Sequence, residues 1–288
     1  MNTNELSFDY FAPKNVRTTH EIWEKYGSEA RYMAGGTDLL VRIKSGRVAP
    51  RAVIDIKNIN ELASRIEKYG DFFEIGALTL MAEIQSGAVL NQLFPALVEA
   101  ASSVGSVQIR NRATIAGNIC NASPAADTAP SLLIYKAWVV VNGSSALRVL
   151  PLDQFIRGPG KTALLPGELV ESLRLPLPTE KQAAAFERLT RRKGVDLATI
   201  NVCSQVNASG VTRIAVGAAS PVPFVVTDET GLLADPSAAK ETKKRRLQEM
   251  MTQASPISDV RASQEYRQAM LSVLAERALE RAISRFNG

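Results

Sequence analysis

The chain has 288 residues, of which 45% are hydrophobic and 22% charged, a composition typical of globular proteins and unlike that of a disordered chain. Its length corresponds to roughly two domains, and it contains no apolar run long enough to predict a transmembrane helix. Because the first twenty residues lack the features of a secretory signal, we expect a cytoplasmic protein without a membrane partner.

The charged residues, cysteines and histidine exclude several function classes. The net charge of +5 includes one dense basic cluster at 240–246, which lacks interleaved aromatic residues and so predicts a solvated helix face rather than nucleic acid binding. Cys120 and Cys203 alone provide neither a thiolate zinc site nor a four-cysteine iron–sulfur cluster. His20, expected in an exposed first helical turn, has no partner residues, so we predict no metal site and no catalytic side chain.

The N-terminal sixty residues alternate between strand and helix patterns. Strands are predicted at 8–13, 30–35 and 52–57, and helices from Thr18 or Thr19 to about Tyr26 and at 38–43. This order predicts a small βαβαβ-like unit.

The rest of the chain follows a different order of elements. In the middle third, strands are predicted at 73–79, 135–143 and 168–178, and helices at 81–90 and 94–105. A proline-rich stretch at about 176–183 predicts a linker. Beyond it, strands are predicted at 184–190, 198–207 and 211–220, ahead of helices that end with 262–286. Strands followed by helices indicate an α+β fold.

Residues 158–162 (GPGKT) contain the GKT of a phosphate-binding P-loop. That loop also requires a glycine five residues before the glycine of GK, and Phe155 occupies this position. We therefore exclude a nucleoside triphosphatase.

Two glycine-containing elements are candidate binding sites. In the first, Gly35 and Gly36 precede Thr37 and Asp38 at a predicted helix start, where backbone N–H groups can receive a phosphate. The simpler interpretation is a turn that Gly36 permits and that Thr37 or Asp38 caps. Taken alone, this segment favours the turn.

The second element, 109–133, is rich in small residues. We expect such a segment to bury little apolar area of its own, so that a ligand supplies the packing, with Asn118, Ser123, Asp127 and Thr128 orienting it. The alternative is an Ala/Gly-rich loop that crosses another backbone.

Five stretches together resemble one family: 33–40 (MAGGTDLL), 102–133, 158–170, 192–202 and 259–279. The chain is similar to the flavin-binding subunit of molybdenum hydroxylases, which includes the FAD domain of xanthine dehydrogenase and bacterial carbon monoxide and nicotinate dehydrogenase medium subunits. The resemblance implies an α+β fold with a two-subdomain, PCMH/VAO-like FAD-binding fold and a C-terminal domain like that of the CO dehydrogenase flavoprotein, with antiparallel sheet and helices. The implied divisions are 1–60, 61–178 and 179–288.

The resemblance also implies that both glycine elements hold one FAD. The 34–39 turn would donate N–H groups to its diphosphate, and Thr114, Gly117 and Asn118 would meet the same diphosphate from the opposite side. Asp196, Leu197 and Arg188 would lie near the flavin ring. Gly105 would line the cleft, Asp127 would bond near the ribityl or adenosine part, and Leu164 would pack by the adenine. The implied cofactor residues are Met33, Ala34, Gly35, Gly36, Thr37, Asp38, Leu39, Gly105, Thr114, Gly117, Asn118, Cys120, Asp127, Leu164, Arg188, Asp196 and Leu197.

The function that the resemblance implies is electron transfer within a complex. FAD would receive electrons from iron–sulfur clusters of a small partner subunit and pass them to NAD or another acceptor, while a large molybdopterin-containing subunit hydroxylates the substrate. A heterotrimer, or a dimer of heterotrimers, would result. The alternatives are a flavin-free scaffold subunit and a stand-alone oxidase of the vanillyl-alcohol type.

Overall fold

The computed structural model describes residues 7–144 and 146–288, and its N-terminal part is a three-stranded parallel sheet with two helices. The elements are β1 (Asp9–Phe11), α1 (Val16–Tyr26), β2 (Ala30–Met33), α2 (Leu39–Lys44) and β3 (Ala52–Asp55). Strand β3 lies between β1 and β2, and all of its residues are buried. A strand that is buried on both faces has a nearly continuous run of apolar residues instead of alternating apolar and polar residues. The βαβαβ order predicted from the sequence is confirmed.

Helix α1 begins earlier than predicted because Asn15 caps it. The Asn15 Oδ1 atom accepts a hydrogen bond from the backbone N–H of Thr18 at 2.8 Å, which satisfies one of the free amides of a helix start. Thr19 lies inside the first turn, where its hydroxyl donates to the Asn15 carbonyl at 2.9 Å. The predicted start at Thr18 or Thr19 is therefore wrong, and His20 lies in the second turn of the helix, half-buried.

The middle part of the chain contains a five-stranded antiparallel sheet, a β-hairpin and seven helices within the described residues. The elements that precede residue 145 in the sequence are β4 (Ile66–Tyr69), β5 (Phe72–Gly76), α3 (Met81–Ser86), α4 (Ala88–Leu93), α5 (Pro95–Ser103), α6 (Val107–Arg110), α7 (Ile115–Cys120), α8 (Thr128–Ile134) and β6 (Trp138–Asn142). Those after it are β7 (Leu147–Pro151), α9 (Leu152–Phe155), β8 (Ile156–Gly158), β9 (Lys161–Thr162) and β10 (Leu169–Pro176). The strand order of the large sheet is β4, β5, β10, β6, β7.

The predicted helix at 81–90 is two short helices, α3 and α4. Gly87 separates them, and its extended backbone ends the first helix and begins the second. Glycine costs conformational entropy in a helix interior, which makes it a natural place for such a break. The hydrophobic pattern of both helices faces the core through Met81, Ile84 and Leu90, which are fully buried.

The small-residue segment at 109–133 folds into helices α6, α7 and α8, contrary to the expectation that it would bury little apolar area. Ala113, Ala116, Ala122 and Ala126 are each less than 9% exposed and belong to the main hydrophobic core. Small side chains here permit close packing of short helices, so most of the segment is stabilised by the protein itself.

The C-terminal part is a four-stranded antiparallel sheet covered by a long helix. Its elements are β11 (Gln182–Leu189), β12 (Ile200–Asn207), β13 (Thr212–Gly217), β14 (Phe224–Asp228), α10 (Lys240–Met250) and α11 (Gln264–Asn287). Helix α11 begins at Ser263, whose hydroxyl accepts from the N–H of Tyr266 at 3.2 Å. Its residues Leu271, Leu274 and Ala278 lie at helical spacing and pack into the core of this sheet.

Glu99 on α5 connects the middle part to the C-terminal part. Its carboxylate accepts hydrogen bonds from the backbone N–H of Phe186 on β11 at 2.9 Å and from Arg285 on α11 at 2.7 Å. Arg281, one turn earlier on the same helix, forms a second ion pair with Glu99. These charge-assisted hydrogen bonds connect α5 to both β11 and α11.

The α+β class, with a mixed first part and a C-terminal antiparallel sheet and helices, is confirmed. The divisions at residues 60 and 178 stay a prediction. Across residues 7–144 and 146–288, no helix combines the length and the hydropathy needed to cross a bilayer.

Candidate functional site

A cleft of about 450 Å³ lies between the N-terminal sheet unit and the helices of the middle part, within the roughly 300–1,000 Å³ usual for small-molecule sites. Both glycine elements line it, from opposite sides. The cleft brings together most of the predicted cofactor residues: Met33, Ala34, Gly35, Gly36, Thr37, Asp38, Leu39, Thr114, Gly117, Asn118, Cys120 and Leu164.

The first wall is the turn at 34–39, which joins β2 to α2. Gly36 has a φ of 76°, in the left-handed region that glycine adopts without strain. In the part of the chain that the structure describes, no oxygen accepts a hydrogen bond from the backbone N–H groups of residues 35–39. Successive free N–H groups form a concave donor surface that suits an anion.

Gly35 is required by the protein's own backbone. A Cβ atom on Gly35 would lie 1.9 Å from the carbonyl oxygen of Arg112 and 3.1 Å from the Cα of Ala113. The segment that precedes α7 therefore crosses the turn at this point. This crossing leaves no room for a side chain at Gly35, and the place of Gly35 among the cofactor residues stays a prediction.

The second wall is the start of α7. The Thr114 hydroxyl accepts from the backbone N–H of Gly117 at 3.1 Å and so caps the helix. Thr114 is buried, and a Cβ on Gly117 would lie 2.8 Å from its hydroxyl oxygen and 4.0 Å from the Cβ of Ala34. Glycine at 117 thus keeps both the cap and the gap between the walls. Asn118 is oriented by Thr128, whose hydroxyl donates to its Oδ1 at 2.7 Å.

Asn121, at the end of α7, connects the two walls. Its Oδ1 accepts from the Arg42 guanidinium at 2.6 Å, and its Nδ2 donates to the Asp38 carboxylate at 3.1 Å. Both partners lie on the first wall, at the start of α2 and one turn later. The side-chain amide therefore joins the walls through two hydrogen bonds, one to each charge. Arg42 and Asn121 also line the cleft and were not predicted from the sequence.

The third side of the cleft is the loop before β10, which carries Leu164. The Tyr32 hydroxyl on β2 donates to the carbonyl of Gly167 at 2.8 Å, and the Trp23 ring stacks on Tyr32 with centroids 5.0 Å apart. Burial raises the pKa of Tyr32 above its usual value, so the hydroxyl remains a donor at any ordinary pH. Glu168 is held by Arg148 and accepts from the backbone N–H of Leu165 at 2.6 Å.

Cys120 is half-buried on the cleft wall, and burial raises the pKa of its thiol to about 12. The charged thiolate is disfavoured where water is excluded. Cys120 is therefore a neutral, apolar part of the wall at physiological pH.

Five predicted residues do not line the cleft: Gly105, Asp127, Arg188, Asp196 and Leu197. Gly105 has a φ of 53° and follows Val104, which does line it. Asp127 and Arg188 face each other in a buried ion pair at 2.6 Å. Burial raises the pKa of Asp127, and the Arg188 guanidinium opposes this shift. The guanidinium also donates to the Ser103 carbonyl at 2.6 Å, so its known contacts are to protein groups.

Asp196 and Leu197 lie on the loop between β11 and β12. Both carboxylate oxygens of Asp196 accept from Arg191, at 2.8 Å and 3.1 Å. These bonds, together with the backbone N–H of Leu197, lower the pKa of Asp196 to about 2. The Leu197 side chain is 60% exposed. In this loop Asp196 is held by an ion pair, whereas the neighbouring Leu197 exposes an apolar side chain at the surface.

The donor set of the cleft suits an anionic diphosphate. The amides of residues 35–39 on one wall, and those of Thr114 and Ala116 on the other, have no acceptor among the described residues. Two phosphates can be bound by converging N–H groups without a cluster of lysines. The apolar lining that includes Leu164, Val104 and Ile109 suits the uncharged rings of a dinucleotide. FAD fits both features.

Two protein families match the chain in succession. The FAD binding domain in molybdopterin dehydrogenase matches residues 6–178, and the CO dehydrogenase flavoprotein C-terminal domain matches residues 184–282. Together they span both the cleft and the C-terminal sheet.

Individual relatives agree with this assignment over nearly the whole chain. The carbon monoxide dehydrogenase medium chain of Hydrogenophaga pseudoflava is 30% identical and aligns with 96% of this chain and 98% of its own. The xanthine dehydrogenase FAD-binding subunit of Escherichia coli O157:H7 is 28% identical, with 90% and 91% covered.

A solved structure agrees as well. The structure of reconstituted CO dehydrogenase from Oligotropha carboxidovorans contains a chain that is 28% identical and superposes with a TM-score of 0.89, covering 97% of this chain and 98% of that one. The cleft, the two family matches and these relatives lead to one assignment. The chain belongs to the family of FAD-binding medium subunits of molybdenum hydroxylases and is a subunit of an FAD-dependent oxidoreductase.

Proposed function

We propose that the cleft holds one FAD with its diphosphate between the 34–39 turn and the start of α7. The supporting observation is that both walls of one cavity carry backbone N–H groups without an acceptor among the described residues. Such donors stabilise negative charge and approach it closely because Gly36 and Gly117 carry no side chain. The apolar lining, including Leu164, would cover the adenine end.

We infer that the flavin end extends towards the loop between β11 and β12. Asp196 and Leu197 lie on that loop, and Arg188, which pairs with Asp127, donates to the Asp196 carbonyl without lining the cleft. Gly105 and Cys120 would shape the wall of the cleft. These placements complete the proposed set of cofactor residues, with those that line the cleft in contact with FAD.

In this proposal the chain transfers electrons within a multi-subunit complex. When bound, FAD supplies two-electron chemistry that can also proceed in single-electron steps, which suits a carrier between iron–sulfur clusters and a soluble acceptor such as NAD. The residues of this chain bind the cofactor, hold it in position and exclude water from its diphosphate. Hydroxylation of the substrate would take place on a large molybdopterin subunit, so this chain needs no general base.

The partners that we propose are a small iron–sulfur subunit and the large molybdopterin subunit, in a heterotrimer or a dimer of heterotrimers. The similarity to medium chains of carbon monoxide dehydrogenases supports this assembly. The exposed Leu197 would lie at the surface that an electron acceptor approaches.

The test is to purify the chain together with its partner subunits, release the cofactor by heating and quantify it by absorbance and mass spectrometry. We expect close to one FAD for each copy of the chain and reduction of NAD when the complex is given its substrate. A complex that assembles with no flavin would support a scaffold subunit instead. Flavin reduction without NADH formation would keep the cofactor assignment and reject NAD as the acceptor.

A further inference from the structure

The segment between β11 and β12 has an unusual set of hydrogen bonds. Residues 195–199 form neither helix nor strand, yet four of their carbonyl oxygens accept from arginine side chains. The pairs are Val195 with Arg192 at 2.8 Å, Asp196 with Arg188 at 2.8 Å, Ala198 with Arg261 at 3.2 Å and Thr199 with Arg267 at 2.6 Å.

Three of these arginines belong to the surrounding scaffold. Arg188 lies on β11, Arg261 precedes α11 and Arg267 is in the first turns of α11. Arg267 is 1% exposed and its guanidinium also donates to the carbonyl of Ala218 at 2.9 Å, at the end of β13. Arginines from strand β11, from helix α11 and from the segment before that helix therefore bind three carbonyls of one loop, those of Asp196, Ala198 and Thr199. We call Arg188, Arg261 and Arg267 the arginine clamp.

Two carboxylates compensate the charge of the clamp. Asp127 pairs with Arg188, and Asp259 is shared by Arg261 at 2.6 Å and Arg267 at 2.7 Å. Three guanidinium groups thus face two carboxylates, and loop carbonyls accept further bonds from all three cations. Buried cations are retained only where such partners satisfy them. The loop carbonyls therefore accept hydrogen bonds that water would otherwise supply to the three guanidinium groups.

The clamp fixes the backbone of Leu197 while its side chain stays free. The residues on both sides of Leu197 are bound through their carbonyls, and its own N–H donates to the Asp196 carboxylate at 3.0 Å. The side chain is nevertheless 60% exposed. Loop residues without packed side chains are normally mobile. Here the backbone is ordered by hydrogen bonds instead of by packing of the loop's own side chain.

We propose that Arg188, Arg261 and Arg267 are positioning residues that hold residues 196–199 in one conformation and thereby fix where Leu197 meets the flavin. The ordering of residues 196–199 by these arginines concerns the chain alone. The placement of Leu197 against the flavin rests on the proposed function, since it requires flavin at this end of the cleft. None of the three arginines needs to contact the cofactor, because each acts through a carbonyl group of the loop.

The test uses Arg261→Met in the full chain, since Arg261 has the most exposed guanidinium of the clamp and its loss leaves the buried Arg267 paired with Asp259. Amide hydrogen exchange at Leu197 and Thr199 in the flavin-free chain should become about tenfold faster or more, the effect of losing a charge-assisted hydrogen bond. Arg267→Met, if it folds, should give a larger increase.

The matched control is Arg174→Met. Arg174 also pairs with a carboxylate, Glu74, at 2.9 Å, but it lies on β10 in the five-stranded sheet. We expect this variant to lower the melting temperature by a similar amount and to leave exchange at 195–199 unchanged. In the flavin-loaded complex, Arg261→Met should change the shape of the visible flavin absorption band without loss of flavin, and Arg174→Met should not.

The outcomes separate the two proposals. Unchanged exchange at Leu197 and Thr199 in Arg261→Met overturns the clamp, whether or not the chain binds FAD. Faster exchange with an unchanged flavin spectrum keeps the clamp as an ordering device and rejects its role towards the cofactor. A wild-type complex without flavin rejects the proposed function. The exchange result for the flavin-free chain still decides whether the arginine clamp orders residues 196–199.

Discussion

The carbonyl oxygen of Arg112 lies directly against Gly35, at a point where a Cβ atom would be only 1.9 Å away. Neighbouring Gly36 has a different constraint, because its φ of 76° is the left-handed conformation of a turn. The two adjacent glycines therefore serve the protein in different ways. Gly35 permits the second wall to cross the first, and Gly36 permits the turn whose N–H groups have no acceptor among the described residues.

Gly35→Ala should destabilise the chain even without cofactor. The added methyl group overlaps a backbone carbonyl rather than a flexible side chain, so the walls must separate, at a cost of about 1–3 kcal/mol or more. Urea denaturation of the flavin-free chain measures the change in the free energy of unfolding. The control is Gly158→Ala, where the nearest atom to a new Cβ is 4.0 Å away. Equal stability of the two variants would show that the walls do not meet at Gly35.

Thr37→Glu should weaken FAD binding while Thr37→Gln retains most of it. Thr37 is half-buried on the donor turn, and a carboxylate there both occupies the free N–H groups and repels a diphosphate. Repulsion between the glutamate carboxylate and a diphosphate bound at the same turn should weaken binding by about tenfold or more, even after screening by salt. Titration of the flavin-free chain or complex with FAD, followed by fluorescence quenching, gives the dissociation constants. If glutamine and glutamate weaken binding equally, the diphosphate is not at this turn.

Cys120 should react with iodoacetamide only slowly, at a rate that rises with pH without levelling off. Since burial raises its pKa to about 12, the reactive thiolate is the minor form below that pH and its fraction increases tenfold per pH unit. Peptide mapping from pH 7 to about 9.5 would separate Cys120 from Cys203. A plateau near the ordinary thiol pKa of about 8.5 would contradict the burial. Bound FAD should slow the reaction further.

Glu99→Gln should loosen the attachment of the C-terminal part. The variant removes the charge that pairs with Arg281 and Arg285 and weakens the bond to the Phe186 amide. Because the arginines are partly exposed, we expect a loss of about 1–2 kcal/mol in thermal or chemical unfolding. The control is Glu21→Gln, whose exposed pair with Arg17 contributes little. A similar change in both variants would mean that Glu99 does not join the two parts.

Much of the fold was predictable because it depends on local patterns. The alternating strands and helices up to β3 and the long helix α11 follow from hydrophobic periodicity. The start of α1 was missed since Asn15, Thr18 and Thr19 are all good capping residues, and only the structure shows which one accepts the bond. Helix propensity likewise could not reveal that the 109–133 segment packs as three short helices.

The glycine turn was the most predictable part of the candidate site, and the connections between distant residues were the least. The bridge from Arg42 through Asn121 to Asp38 joins residues 79 and 83 positions apart. No local spacing predicts such a contact, although the small residues of 109–133 made the segment that contains Asn121 a candidate binding element. The same holds for Arg188: the family resemblance implied a cation near the cofactor, and the structure gives its guanidinium three protein acceptors.

The bond from Tyr32 to Gly167 determines which pieces of this chain can be exchanged with those of a homologue. Strand β2 lies in the first sixty residues, yet the third side of its cleft is supplied by a loop more than a hundred positions later, through a bond with a separation of 135 residues. A chimera that replaces only residues 1–60 would pair a foreign β2 with the native loop. Chimeric subunits should therefore transplant residues 163–169 together with the N-terminal unit.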